Sequence, residues 1–176
     1  NNVKIFVDKP LYSNSEMSEK YNLLLKDGRI MSCSCLRYDP QFDNVREAFL
    51  KQGAPVFTRS IITGDIRKYL PHALEPIISI CGPLEVEKLE NVSRMGLDGL
   101  RLKTSQTEIG ILCLDSNIPL FKYDFYWDSH VESVQIKSNF LAFYHGIKAI
   151  EKFICKSVPV IEVNETKMIC DTNFLL

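Results

Sequence analysis

Trp127 to Phe153 reads WDSHVESVQIKSNFLAFYHGIKAIEKF, a stretch with a helical apolar pattern. Its apolar residues recur three or four positions apart, at Ile136, Phe140, Phe143, Ile147, Ile150 and Ile154. Such spacing places side chains along one face of an α-helix. Ser129 and Glu132 have the form of an N-terminal capping box, and Pro159 stops the pattern, because the residue before a proline leaves the α region. We therefore predict a long amphipathic helix over about residues 129–155, whose apolar face packs on a sheet.

The remaining apolar stretches predict short strands joined by hairpins. Asp27-Gly28 separates two such stretches and is a two-residue hairpin signal. Further hairpins are predicted around Ser105-Gln106 and Asn164-Glu165. Because the strands follow one another in hairpins without strict βαβ alternation, we expect an α+β fold with an antiparallel sheet.

Two or three shorter helices accompany the long one in this prediction. They are expected over Phe42–Gln52 and Leu84–Met95, with a helical turn at 64–70. Apolar composition predicts further strands at Pro55–Ile62 and Pro76–Cys81. We expect an N-terminal strand and flexible segment over residues 1–20, with its polar part at 13–20, and a single globular α+β domain over residues 21–176.

Composition narrows the class of protein. The apolar share is 45%, the charged share is 24% and the formal net charge is −1. The chain as a whole is therefore not an electrostatic nucleic-acid binder. It has no apolar run near the roughly 18 residues that span a bilayer and no signal-peptide pattern. We expect an intracellular protein that is neither secreted nor membrane-spanning.

The cysteines and histidines offer the reactive side chains that this sequence has. The six cysteines lie mostly in apolar stretches and are predicted to be reduced and buried: Cys33, Cys35, Cys81, Cys113, Cys155 and Cys170. His145 could pair with Cys113 or Cys81 as a base beside a nucleophile, but the fold decides that. His72 and His130 are interpreted as solvated or core residues. The sequence alone therefore assigns no catalytic, cofactor-binding or metal residue.

One arrangement of residues points to a family. The Trp127-Asp128 turn leads into the helix, and a predicted hairpin with a short helix precedes it over Leu23 to Gln52. The helix carries Phe143, Gly146, Ile147, Glu151 and Lys152. This order resembles the globular domain of rhabdovirus matrix proteins over about residues 20–174.

The resemblance implies a non-enzymatic, viral matrix-like structural protein of the host cytoplasm and virion. Such a protein self-associates, condenses the nucleocapsid and bridges it to the membrane. Its partners would be further copies of itself, nucleocapsid or RNA and an anionic membrane surface, with no cofactor and no small-molecule substrate. By analogy, self-association would use Lys9, Pro10, Leu11 and Tyr12. Two alternatives stay open: a small enzyme with a Cys/His pocket, and a protein-binding module excised from a larger polypeptide.

Overall fold

The computed structural model describes residues 3–12, 14–93, 97–156 and 161–174. Within them the strands are β1 Ile5–Asp8, β2 Ile30–Cys33, β3 Phe57–Thr63, β4 Val86–Asn91, β5 Leu97–Thr104, β6 Glu108–Leu114, β7 Phe121–Tyr126 and β8 Val131–Gln135. The α-helices are α1 Ser15–Lys26, α2 Asp43–Gln52, α3 Ile66–Cys81, α4 Phe140–Lys156 and α5 Val163–Phe174. Two short 3-10 helices, Cys35–Tyr38 and Pro40–Phe42, precede α2.

The chain begins with a βαβ unit in which β1 and β2 are parallel and α1 connects them. The hairpin predicted at Asp27-Gly28 is therefore wrong. Residues 15–20 of the segment predicted to be flexible belong to α1, and its flexibility stays a prediction. Asn14 starts α1 by accepting the Met17 backbone N–H at 3.0 Å, and polar residues there form a helix surface. Gly28 has a φ of 60° and follows the helix end, a position where glycine commonly terminates helices.

The main sheet has six strands in the order β4-β5-β6-β3-β7-β8. β3 and β6 are parallel, whereas the other neighbours are antiparallel. The predicted purely antiparallel sheet is therefore wrong, although the hairpin around Ser105-Gln106 is confirmed as β5 and β6. Hairpin signals specify only neighbours in sequence, and the β3–β6 pair is non-local.

Helix α3 covers one face of this sheet and forms the main core with it. It continues through Pro71 and Pro76, so the strand predicted at Pro76–Cys81 is wrong. Its buried side chains repeat at helical spacing, and Leu70, Leu74, Ile77 and Ile78 are all fully buried. Burial of that many apolar side chains outweighs the cost of two prolines.

Two other predicted elements are also replaced. The helix predicted at Leu84–Met95 is β4 instead, an edge strand paired with β5 along Val86–Asn91, and Met95 lies outside the described residues. The hairpin predicted around Asn164-Glu165 is replaced by α5, and residues 158–160 also lie outside the described part. The short helix at Phe42–Gln52 is confirmed as α2.

The long helix begins later than predicted and turns its other face inward. β8 occupies 131–135, and α4 starts at Phe140. Its buried residues are Ala142, Gly146, Ala149 and Phe153. Most of the apolar residues that were predicted to pack on the sheet are exposed to solvent. Their exposed fractions are 69% for Phe140, 50% for Phe143, 62% for Ile147 and 46% for Ile154. Small residues face inward because the helix packs directly on the Cys35–Tyr38 turn: an added Cβ at Gly146 would lie 2.5 Å from Cys35 Sγ.

The segment after β1 packs on its own chain. The Lys9-Pro10 peptide bond is cis, and Leu11 and Tyr12 are buried. The Tyr12 hydroxyl donates to Asp171 Oδ1 of α5 at 2.9 Å. A role of this segment in self-association stays a prediction. Among the described residues, none of the helices has the length and apolar character needed to cross a membrane.

Candidate active site

The carboxyl ends of both parallel strand pairs open into one cavity of about 610 Å³. Ligands of α/β sheets bind outside such strand ends. The lining comes from the ends of β1, β2 and β3 and the segments that follow them, from the segment after β6, from α3 and β7, and from α4 with the residue before it. Its residues are Asp8, Lys9, Cys33, Ser34, Cys35, Leu36, Thr63, Gly64, Tyr69, His72, Ser116, Asn117, Pro119, Phe121, Asn139 and Phe143. Topology therefore makes this cavity the first place to look for chemistry.

His72 is held in this cavity as a neutral imidazole. Its Nδ1 lies 2.6 Å from Ser34 Oγ, in the turn after β2. The pKa of His72 is lowered to about 4, mainly by burial and also by the positive charge of Lys9, while the charge of Asp8 acts in the opposite direction. Nε2 forms no hydrogen bond with any described residue. The ring nitrogen that remains can therefore interact with a ligand.

A proline and a tyrosine fix the backbone of His72. Pro76 has no N–H, so the His72 carbonyl loses its normal helical donor four residues later. The Tyr123 hydroxyl of β7 donates to that carbonyl at 2.7 Å. Burial raises the pKa of Tyr123, which keeps the phenol protonated as a donor. The centre of the sheet thus positions the histidine.

Lys9 is the cationic residue beside His72. It directly follows β1 and lines the cavity, close enough for its charge to affect the pKa of His72. Asp8 precedes it and is exposed at the rim. A neutral imidazole and an ammonium group side by side can hold one oxygen atom between a hydrogen-bond acceptor and a cation.

The walls combine aromatic rings with neutral polar groups. The rings of Tyr69, His72 and Phe121 lie in mutual contact, with centroids 5.6 to 6.3 Å apart. The amide side chains of Asn117 and Asn139 also line the cavity. This combination suits a small polar ligand with an apolar face.

The cysteines of the cavity are thiols and not nucleophiles. Burial raises the pKa of both Cys33 and Cys35, and a thiolate is the reactive form. All six cysteines are free, and four are buried, as predicted: Cys33, Cys81, Cys113 and Cys170.

The structure does not bring together the Cys–His pairs considered from the sequence. Cys113 Sγ donates to the Gly64 carbonyl at 2.8 Å, and burial raises the pKa of Cys81 to about 12. His145 lines a different cavity. His130 bonds Glu132 Oε1 at 2.7 Å on β8. Across the described part of the chain, no three His, Cys, Asp or Glu side chains are grouped to hold a metal.

Sequence reasoning missed both central residues of this site. Lys9 was assigned to self-association and His72 to the core or solvent. A usable signal was present, because Lys9 and Ser34 each follow a short apolar strand and would meet if those strands were parallel. The hairpin interpretation of Asp27-Gly28 concealed that pairing.

No protein-family profile and no curated protein sequence matches the chain, but solved structures do. UDP-N-acetylglucosamine 3-dehydrogenase GnnA from Acidithiobacillus ferrooxidans has a TM-score of 0.76 at 14% identity, over 99% of this chain and 69% of that one. The scyllo-inositol dehydrogenase from Lactobacillus casei has a TM-score of 0.76 at 11% identity, over 97% and 67%. GenD2 from gentamicin A biosynthesis, in complex with NAD, has a TM-score of 0.78 at 9% identity, over 98% and 68%.

These likenesses overturn the viral interpretation. The matching structures are oxidoreductases of the Gfo/Idh/MocA type, so the resemblance to rhabdovirus matrix proteins is wrong. The expected non-enzymatic role is wrong for the same reason, as are the expected nucleocapsid and membrane partners. A virion location has no support. The chain shares the fold of these structures, formed here by a Rossmann-like βαβ unit and a mixed six-stranded sheet.

Proposed function

We propose that the cavity binds a polyhydroxylated ring, such as a sugar or cyclitol, and handles the proton of one hydroxyl group in a dehydrogenase-type reaction. The observation that carries this proposal is the neutral His72 beside Lys9 where both parallel strand pairs end. Support also comes from the names of the similar structures, which include a nucleotide-sugar dehydrogenase and an inositol dehydrogenase.

The lining suits such a ring. Tyr69, Phe121 and Phe143 offer apolar surface to the C–H face of a sugar or cyclitol. Asn117 and Asn139 each carry both donors and an acceptor, as a ring of hydroxyl groups requires. A volume of about 610 Å³ lies within the range of ordinary small-molecule sites.

Lys9 and His72 take different parts in this proposal. A pKa of about 4 makes His72 a poor proton carrier near neutral pH. His72 therefore orients the hydroxyl by accepting its hydrogen bond at Nε2, with the Nδ1–H donated to Ser34 Oγ. The Lys9 ammonium donates an N–H to the same oxygen and stabilises negative charge that develops there. It supplies the proton when a carbonyl oxygen at this position becomes a hydroxyl group.

The described residues do not fit a whole nicotinamide dinucleotide. A pyrophosphate is normally held by a glycine-rich turn at a helix N-terminus. Here the turn between β1 and α1 contains no glycine, Asn14 already caps α1, and Glu16 places a negative charge in its first turn. We therefore derive no step through that cofactor, and the proposal concerns the substrate side and its proton.

Ligand-observed NMR with myo-inositol, glucose and UDP-N-acetylglucosamine tests the proposal. We expect saturable binding of at least one probe. His72→Asn and Lys9→Met should each weaken it at least tenfold, because each removes a group that contacts the hydroxyl. Lys9→Arg should retain more affinity than Lys9→Met, since it keeps the charge.

His130→Asn is the matched control, because His130 bonds Glu132 on β8 and does not line the cavity. Its affinity should equal that of the unmodified protein. Absence of saturable binding for all three probes would refute the proposal, as would an equal loss of affinity in the control.

A further inference from the structure

A second cavity, of about 550 Å³, lies on the other side of the Cys35–Tyr38 turn. The turn is shared: its first residues line the candidate active site, and Arg37 and Tyr38 line this second cavity. The remaining lining comes from α2 and the turn before it, from α3 and from α4: Pro40, Asp43, Arg46, Ser79, His145, Lys148, Ala149 and Lys152. The proposed function uses none of these residues.

The lining of this cavity is strongly cationic. It carries two arginines and two lysines against one carboxylate, that of Asp43. The charge of Arg37 is balanced by Glu75 and Glu165. Arg46 pairs with Asp43 at 2.6 Å. Lys148 and Lys152 are exposed on α4 and form no ion pair with any described residue. Two positive charges are therefore left without a counter-charge at the cavity.

The geometry of the two lysines follows from helix α4. His145, Lys148 and Lys152 are three and four residues apart, so they lie on one side of the helix. Lys148 Nζ lies 4.3 Å from the ring centroid of Tyr144, which holds that side chain along the helix. Lys148 and Lys152 therefore give one side of α4 its positive charge at the cavity.

Arg46 of α2 lines the same cavity and is held by several hydrogen bonds. One terminal nitrogen, Nη1, donates to Asp43 Oδ1 and to the Asp39 carbonyl, and the other, Nη2, donates to the Arg37 carbonyl at 2.7 Å. These bonds leave part of the guanidinium fork free to donate. A preorganised guanidinium that lines one cavity with two ammonium groups is an arrangement that binds phosphoryl oxygens well.

We propose that this cavity binds a phosphate dianion, with Lys148, Lys152 and Arg46 as its ligands. Two uncompensated positive charges match the charge of about −2 on phosphate or on a phosphate monoester. The volume exceeds that of the free ion and leaves room for a small organic group. The ligand is thus inorganic phosphate or the phosphoryl group of a small metabolite.

Isothermal titration calorimetry of the full chain with inorganic phosphate tests the site. We expect saturable binding with one phosphate per chain. The double substitution Lys148→Gln and Lys152→Gln should weaken it at least tenfold, because it removes both unpaired charges. A parallel titration with glycerol 3-phosphate separates the two sources: tighter binding than phosphate identifies a phosphorylated metabolite, and equal binding identifies the free ion.

The matched control is Lys20→Gln with Lys26→Gln, which removes the same charge from the exposed surface of α1. The control should bind phosphate as the unmodified protein does. Equal weakening in the control, or titrations with both anions that show no saturable binding, would overturn the proposal. Arg46→Lys provides an independent check, since it keeps the charge but loses the fork, and should weaken binding severalfold.

Discussion

At the scale of single residues, Arg37 is the centre of a buried group of charged side chains. Its guanidinium lies between Glu75 of α3 and Glu165 of α5. One cation therefore serves two carboxylates that are almost inaccessible to water. Burial raises the pKa of Glu75 from 4.5 to about 7, even though Arg37 opposes the shift. The cost of desolvation exceeds the attraction when a partner charge is shared.

This shift predicts that stability falls as pH rises. The pKa of Glu75 is raised in the folded state, so the folded protein binds this proton more tightly than the unfolded chain does. The stabilisation is fully present below about pH 4.5 and is lost as pH rises through about 7. Glu75→Gln should match the original protein at pH 5 and exceed its free energy of unfolding at pH 8 by on the order of 1–3 kcal/mol. Urea unfolding at both pH values measures this. A destabilised variant at pH 8 would show instead that the ionised pair with Arg37 stabilises the fold.

Tyr123 supports a second prediction at this scale. Its hydroxyl donates to the His72 carbonyl that Pro76 leaves without a helical partner. Tyr123→Phe should therefore lower the free energy of unfolding by about 1–3 kcal/mol, because a buried carbonyl loses its donor. In a Pro76→Ala background the new N–H can bond that carbonyl, so the same change should cost less. A double-mutant cycle in urea gives the difference. Equal costs in both backgrounds would mean that the hydroxyl does not compensate for the proline.

At the scale of elements, α4 shows what periodicity can and cannot predict. The spacing of Phe143, Ile147 and Ile154 correctly indicated a helix. It did not indicate which face of the helix is buried, because the prediction assumed that the largest apolar side chains face inward. Ala142, Gly146 and Ala149 are buried instead, since only small side chains let the helix backbone approach the Cys35–Tyr38 turn. How closely α4 approaches the Cys35–Tyr38 turn depends on both elements, so the apolar spacing of α4 alone cannot predict it.

A substitution at Gly146 tests whether close packing of α4 on the Cys35–Tyr38 turn requires a small residue. An added Cβ would lie 2.5 Å from Cys35 Sγ and 2.9 Å from Cys35 Cβ. Gly146→Ala should therefore destabilise the protein by about 1–3 kcal/mol through overpacking, although alanine is the better helix former. Cys35→Ala removes the closer atom and should recover part of the loss in the double variant. Thermal unfolding of the three variants measures both effects. A Gly146→Ala protein as stable as the original would mean that α4 can move away from the turn at no cost.

The same scale explains the missed parallel pairs. The two stretches around Asp27-Gly28 have the composition of hairpin strands, yet the first is α1 and the second pairs with β1. Local composition located α2, β3, β5 and β6 correctly, because each is stabilised by its own pattern. The candidate site depends on which distant strands become neighbours. Its residues could therefore be recognised as reactive types from the sequence, but not as a group.

At the scale of the whole molecule, α5 joins the βαβ unit to the six-stranded sheet. Ile169 belongs to the main core with α3, whereas the adjacent Cys170 packs in a separate cluster with Leu11 and Tyr12. Glu165 on the same helix bonds Arg37 of the turn after β2. One helix thus shares its side chains between two clusters. Units coupled in this way are expected to unfold together.

We predict a single cooperative unfolding transition for the chain. Trp127 is the sole tryptophan, is 6% exposed and donates to the Gly53 carbonyl, so its fluorescence reports on the sheet. Far-ultraviolet circular dichroism reports on all helices, α1 and α5 included. The two urea curves should coincide. Ile169→Ala should shift both midpoints to lower urea concentration and lower the free energy of unfolding by about 2–5 kcal/mol, because it leaves a cavity between α3 and α5. Leu50→Ala, at an 83% exposed position, is the control and should shift neither. A dichroism curve that falls before the fluorescence curve would show that the βαβ unit unfolds independently, and α5 would then not be the element that couples the two parts.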